Sequence, residues 1–496
     1  MLFVSVMATH DQGFFGHPRG LSTLFFTELW ERFSYYGMRA LLILFMTAAP
    51  AAGGLGFDTG TAGAVYGLYT SMVYMMSLPG GWIADRLIGQ QAAVLWGGVL
   101  IMLGHFSMAV PSLTTFYFGL LLIVLGTGLL KPNVSAIVGQ IYAPDDVRRD
   151  AGFSIFYMGI NIGGFTAPLV CGYLGQRVDW HLGFGAAGIG MAFGLIQYQL
   201  GRKYLGDAGR HPAPAASPEA SAQLRSRTLA TAGGIFGVLG LVLAGGALGW
   251  WTVSPIGVAD AAGYALLLTV LVFFGWLYFV ADWTPLERNR LYAVGVFFLA
   301  ASLFWSLFEQ AGSTLNLFAE RATDSTLLGV DFPSSYFQSL NSLYIIALAP
   351  VFAWLWIWLG PREPSSTIKF ALGLIQVGLG FAVLVVAAQL SLQGVRVSPM
   401  WLAVTYLLHT SGELCLSPVG LSVMTKLAPA RIVGLMMGIW FLAASVGNYI
   451  GGRLAAFYET LPLPALFGVV GALGVAFGLV LWLFTRPMRR LMGGVN

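Results

Sequence analysis

The sequence predicts an all-α integral membrane protein, built as two six-helix bundles with two inserted transmembrane helices between them. Three observations predict it: scarce charge, recurring apolar runs long enough to cross a bilayer, and a one-sided distribution of Lys and Arg. Of the 496 residues, 57% are hydrophobic and only 9% charged. A water-soluble domain carries about 25% charged residues. This chain therefore cannot cover its surface against water, and that surface must face lipid. The 65 glycines suit close helix approach in a bilayer.

A membrane helix needs ~20 apolar residues. Such runs fall at 22–49, 61–84, 92–110, 115–138, 150–175 and 184–201. They resume at 228–250, 262–281, 290–319, 337–359, 367–391, 399–425, 432–458 and 464–485. Fourteen spans place both termini on one side. The 25 Lys and Arg residues say which side. Eighteen lie in the loops that share the side of the termini, while Arg177, Arg321 and Arg396 lie in the others. Arg32, Arg39, Lys131 and Arg453 lie within spans. This bias puts both termini in the cytoplasm.

Residues 203–227 are rich in Pro, Ala and Ser and read as a solvated linker. The domain plan is then a six-helix bundle over 1–202, the linker over 203–227, two inserted helices over 228–281, and a second six-helix bundle over 282–496. The inserted spans hold almost no polar residues and are expected to face lipid without transport chemistry. Met1 to Gly20 lacks a charged segment followed by a long apolar core, so no signal peptide is expected. The net charge of +4 is spread over short loops without interleaved aromatics, which does not fit nucleic-acid binding. Cys171 and Cys415 sit in apolar runs and read as buried thiols, not disulfide partners or metal ligands.

Ionisable groups inside a bilayer cost ~2.5–3.5 kcal/mol or more each, so they are functional candidates. The acids are Glu28, Glu31, Glu309 and Glu413; the deepest bases are Arg32, Arg39 and Lys131. In the first span Glu28, Glu31, Arg32, Tyr35, Tyr36 and Arg39 share one helical face. Salt bridges joining helices would account for Glu28 and Arg32, which are i,i+4 partners. They would not account for two tyrosines and two further charges on the same stripe. Lys131 precedes Pro132, which is expected to interrupt the helix as substrate sites in transporters often do. Asn161 and Asn341 are amides in apolar spans, suited to interhelical or ligand hydrogen bonds. Glu309, with Gln310 beside it, and Glu413 are single carboxylates of the second half. Apolar surroundings disfavour a charged carboxylate, and a carboxylate that can take up a proton is the requirement for proton coupling. His409, one turn before Glu413, and His105 read as helix-packing histidines. Between the second and third spans, Gly81 is expected to allow close helix approach, and Asp85 and Arg86 to pair with neighbouring helix ends before Gly89.

Together these residues resemble one family, the proton-dependent oligopeptide transporters (POT/PTR), a branch of the major facilitator superfamily. The resemblance rests on Glu-x-x-Glu-Arg-Phe-x-Tyr-Tyr-Gly from Glu28 to Gly37, on GTGLLKPNVSAIVGQIY and on DAGFSIFYMGINIGGFTAPLVCG. The Gly-x-x-x-Asp-Arg-x-x-Gly pattern at Gly81, Asp85, Arg86 and Gly89 matches the superfamily's conformational latch. Bacterial members commonly carry the inserted pair. The resemblance implies a major facilitator fold and a proton-coupled symporter importing di- and tripeptides by alternating access. It implies that Arg32 and Lys131 hold the peptide carboxylate, that Glu413 with Asn341 meets the amino group, and that Asn161 bonds the peptide backbone. Tyr35, Tyr36, Tyr74, Trp440 and Phe441 would line side-chain pockets, with Tyr69 as the alternative to Tyr74. Glu28 and Glu31 would carry the proton against Arg32, and Glu309, beside Gln310, would pair with Arg39 or bind substrate. The implied partners are peptide, protons and the lipid bilayer of a bacterial plasma membrane. No cofactor or metal is implied beyond the coupling proton, and a monomer suffices. The alternative on this scaffold is another small substrate, such as nitrate or an amino-acid-like metabolite, although an inorganic anion needs no acid like Glu413. An enzyme is disfavoured, because neither a His-Glu-x-x-His nor a Gly-x-Ser-x-Gly motif is present.

Overall fold

Fourteen long helices run through the chain in a computed structural model that describes residues 13–143, 145–213, 217–327 and 329–495. Most of the segment read for a signal peptide, and residues 214–216 of the linker, lie outside these. The first bundle contains α1 (Arg19–Thr47), α2 (Thr59–Met75, continued by Ser77–Ile83), α3 (Gln90–Met108), α4 (Leu113–Gln140), α5 (Arg149–Tyr173) and α6 (Trp180–Gly201). The insert is α7 (Pro218–Ala247) and α8 (Pro255–Gly275). The second bundle is α9 (Pro285–Phe308), α10 (Ser339–Leu359), α11 (Ser366–Ser391), α12 (Met400–Leu427), α13 (Val433–Leu454) and α14 (Leu463–Leu483). Beyond α9, a tight turn at Glu309–Gly312 leads into a further helix at Thr314–Ala322. A two-residue hairpin pairs β1 (Thr326–Leu327) with β2 (Val330–Asp331).

Among the described residues, nine helices are both long and apolar enough to cross a membrane. Helix α1 falls outside that set because every 18-residue stretch of it holds at least three charged residues. Its chemistry, not its length, sets it apart. Local signals start the helices where the spans require. Asp58 accepts the Thr61 amide at 2.9 Å to begin α2. Asp179 accepts the His181 amide at 2.8 Å to begin α6, and Thr284 with Glu287 forms a capping box on α9.

Glycine brings the helices together. A Cβ on Gly97 of α3 would lie 2.6 Å from the Gly126 carbonyl of α4, and one on Gly378 of α11 would lie 2.6 Å from the Gly471 carbonyl of α14. With little hydrophobic drive between helices in lipid, such backbone approach supplies the packing. Cys171 and Cys415 are buried free thiols.

Four expectations need correction. The insert begins ten residues early, because Pro218 starts a helix and the Glu-Ala-Ser-Ala-Gln run after it favours helix. Residues 206–213 are not a free linker but a strap on the loop between α2 and α3. Gln91 donates from its backbone to the Gly209 carbonyl (2.9 Å) and from its side chain to those of Gly206 (3.1 Å) and Ala208 (2.8 Å). The close approach in the latch belongs to Gly80, whose Cβ would strike the Gly128 carbonyl, while a Cβ on Gly81 would find only Pro132, at 3.8 Å. Helix α4 runs on through Pro132; the broken segment is instead Glu309–Gly312, followed by Ser313 at φ −125°, ψ −93°.

The two bundles meet most closely on the face opposite the termini. There α2 crosses α13, with Gly67 against Gly452 and the Ser71 and Ser445 hydroxyls 2.8 Å apart. Ser339 donates to the Phe165 carbonyl (2.8 Å), Gln176 bonds Glu320 (3.0 Å), and Arg177 pairs with Asp331 (2.6 Å). The protein is thus closed on that face.

Candidate functional site

Helix α1 delivers its polar stripe to the interior as its periodicity requires. Glu28, Glu31, Arg32, Tyr35 and Arg39 are all buried. The Arg32 guanidinium lies 3.1 Å from Glu28 and hydrogen-bonds Glu31 through the same Nε. One oxygen of each glutamate and Arg32 Nη2 are buried without a hydrogen-bond partner. This triad is thus not self-sufficient, since it keeps capacity for a proton or a bound carboxylate. Arg32 also sits 5.1 Å from the ring centre of Tyr35. The Tyr36 ring lies between Arg32 (6.0 Å) and Arg39 (5.7 Å), within cation–π range of both.

Lys131 comes from α4 to the same chamber. Its ammonium stands 4.1 Å from the ring centre of Tyr74 and feels the charges of Arg32, Glu31 and Glu28. This gives Tyr74 a place beside the lysine; Tyr69 is buried, with its hydroxyl unbonded.

The second half contributes acids. Glu309, at the α9 break, pairs with Arg39 at 2.8 Å, and Arg39 also donates to the Tyr66 hydroxyl at 2.9 Å. Both partners are buried, so the pair welds α1 to α9 in this closed state. Glu413 of α12 accepts from Asn341 of α10 at 3.0 Å, and Asn341 also donates to Thr410 at 3.1 Å. Asn341 is held in the orientation that presents its donor to the carboxylate. Gln310 is fully buried and donates to the Ser306 carbonyl at 3.3 Å.

A small cavity lies between the halves, lined by Tyr36, Arg39, Phe308, Ala311, Gln338, Asn341, Tyr406 and His409. The ring of His409 packs 5.0 Å from Phe381 and 6.3 Å from Phe308, a packing role that also brings its edge to the cavity.

Not every expected residue joins this chamber by a visible contact. Asn161 donates to the Tyr157 carbonyl of its own helix at 3.0 Å. Trp440 is buried against Phe370 and Gly420, inside the second bundle, while Phe441 beside it is half-buried. In the latch, Asp85 and Arg86 are exposed, and Asp85 accepts at 2.9 Å from the side chain of Gln90, the first residue of α3. Gly89 adopts φ +81°, where a Cβ would meet the Arg210 carbonyl of the strap. Sequence reasoning missed Tyr66, although Tyr66, Tyr69 and Tyr74 lie on one helical face and carry the signal. Gln338, Tyr406 and Phe308 carry no such signal, because tertiary packing alone brings them to the cavity.

A sequence model described as the POT family matches residues 91–218 and 272–470. An uncharacterized transporter of Bacillus subtilis, YclF, is 44% identical over 99% of this chain and 98% of its own. A di-/tripeptide transporter of Lactococcus lactis is 39% identical over 98% of this chain and 99% of its own. A crystal structure of a peptide transporter POT in complex with sulfate superposes with a TM-score of 0.91 at 44% identity, covering 97% of each chain.

Proposed function

For this chain, which belongs to the POT family, we propose proton-coupled import of di- and tripeptides by alternating access. The observation that carries the reading is the division of charge across the chamber. Arg32 and Lys131 come from the first bundle, and Glu413, held by Asn341, comes from the second. A zwitterionic peptide has a carboxylate for the one side and an ammonium for the other. An inorganic anion would bring Glu413 no ammonium to meet. The di-/tripeptide activity named for the Lactococcus relative supports the same substrate class.

In this reading Arg32 is the switch. Glu28 and Glu31 hold its guanidinium; a proton on either carboxylate weakens that hold and releases Arg32 to the peptide carboxylate. Charge-assisted hydrogen bonds are the strong ones, so the exchange of partners is close to balanced. Arg39 and Glu309 act as the second ion pair, which ties the bundles while the far face is shut. Tyr35, Tyr36, Tyr74, Trp440 and Phe441 shape the side-chain space, Asn161 and Gln310 supply amides, and Gly81, Asp85, Arg86 and Gly89 form the latch. The bundles at 1–202 and 282–496 rock about the site as rigid halves. The Lys and Arg bias supports cytoplasmic termini in a bacterial plasma membrane, with the closed face outward. We read the protein as a monomeric carrier, not an enzyme, whose one coupling partner is the proton.

The test is uptake of a labelled dipeptide into proteoliposomes, with and without an acidic-outside gradient. Wild type should accumulate the dipeptide only with the gradient. Glu31→Gln should lose accumulation but keep gradient-free exchange, and Lys131→Ala should lose both. Absence of dipeptide uptake by folded protein under an imposed gradient would sink the peptide reading.

A further inference from the structure

Arg453 and Asp260 are charged side chains near the far ends of two apolar helices, and the peptide chemistry uses neither. They find each other: Arg453 Nη2 of α13 lies 2.9 Å from Asp260 Oδ1 of α8. One residue earlier on α8, the Ala259 carbonyl accepts from the Tyr449 hydroxyl of α13 at 3.1 Å. One turn later, a Cβ on Gly263 would strike that same hydroxyl. Contacts on two successive turns tie the far end of α8 to the second bundle. Its near end is fixed there too, with Phe274 4.9 Å from Phe298 of α9 and Tyr278 bonding the Leu291 carbonyl at 3.3 Å.

Helix α8 nevertheless packs most extensively along α2 (Thr59–Met75), which belongs to the first bundle. It lies beside the crossing where Gly63 and Gly67 of α2 meet Gly452 of α13. Its buried side chains include Ala259 and Leu266, while most of its surface is open to lipid. An isolated peripheral helix would need no Asp in a lipid-facing setting, where the charge is costly.

We propose that α8 is a clamp over the α2–α13 seam, packed on α2 and tied to α13, which stabilises the state closed on the face opposite the termini. Asp260 and Arg453 are its positioning residues. They hold the end of α8 that reaches across to α2. When the face opens, α8 cannot keep both its packing on α2 and its ties to α13. That contact therefore counts toward closure only while α8 is fixed to α13.

The test uses the full chain in lipid nanodiscs, without substrate, so its outcome is separate from that of the peptide reading. Spin labels at Ala51→Cys and Thr460→Cys, both exposed and one on each bundle at the far face, report the opening by pulsed electron resonance distances. Wild type should show mainly the short distance. Asp260→Asn should shift the closed-to-open ratio toward open, by up to about fivefold for a partly exposed pair. The charge exchange Asp260→Arg with Arg453→Asp should restore the short distance, which separates the pair from general damage. A distribution in Asp260→Asn that matches wild type, or a charge exchange as open as the single variant, overturns the proposal.

Discussion

Gly452→Ala tests the closed seam with the smallest change available. The added Cβ would overlap the Gly67 Cα, lie 2.5 Å from the Gly67 amide nitrogen, and lie 2.8 Å from the Gly63 carbonyl oxygen. All three are backbone atoms, which cannot swing aside as a flexible side chain would. Overpacking a well-packed contact costs about 1–3 kcal/mol. Only the closed state makes this contact, so the whole cost falls on the closed-to-open equilibrium. At about 1.4 kcal/mol per decade, that is a shift of about 5- to 150-fold toward opening on the far face. Ser71 and Ser445, one to two turns further along the same crossing, would lose their 2.8 Å contact as the helices part. The assay combines the same spin-label distances with dipeptide uptake. The open population should grow and net uptake should fall, while dipeptide binding to the detergent-solubilised protein persists. Unchanged distances with wild-type uptake would refute the reasoning, since they would mean that the two helices do not rest against each other during the cycle.

Two more outcomes follow from the site. Glu413→Gln keeps the shape that Asn341 holds but removes the charge; a charge-assisted hydrogen bond of about 1.5–3 kcal/mol would then be lost for a free peptide amine, about 10- to 150-fold in affinity. Competition assays should show that loss for a dipeptide and none for the same dipeptide with its amino group acetylated. Arg39→Ala leaves Glu309 buried without its partner, and breaking such a pair costs about 3–5 kcal/mol. Thermal unfolding in detergent should therefore fall sharply in Arg39→Ala and recover in part in the double variant with Glu309→Gln. Equal melting of the single and double variants would count against the pair as a weld between α1 and α9.

Much of this protein was legible in one dimension, because the bilayer is a simple solvent. It demands long apolar helices, so every expected span has its helix, with most boundaries off by a few residues, the inserted helices starting ten and seven residues early and the helix expected to reach 319 breaking after Phe308. It penalises charge, so the few ionisable residues left in the spans mark the site. Helical periodicity then put Glu28, Glu31, Arg32, Tyr35, Tyr36 and Arg39 on one stripe, and the structure turns that stripe inward. What periodicity could not give was partnership. Arg32 has two acids on its own helix, whereas Arg39 reaches Glu309 more than 250 residues away, and Glu413 is held by Asn341 from another helix. These pairings depend on how two bundles are set against each other, and one sequence does not encode that in any local pattern.

The latch and the insert mark the same boundary. Gly80 and Gly81 are equivalent in sequence, and only the rotation of the helix decides that Gly80 faces Gly128. The Pro- and Ala-rich linker had the composition of a solvated segment, yet Gln91 offers its backbone and side-chain donors to three of its carbonyls and straps it down. Asp260 and Arg453 could be read as scattered charges until α8 and α13 came together. By itself the sequence determined the solvent, the helices and the inventory of charges, because these follow from composition and local geometry. The tertiary structure decided which charges meet, which glycines touch and which face is shut, because those are contacts between segments far apart in the chain.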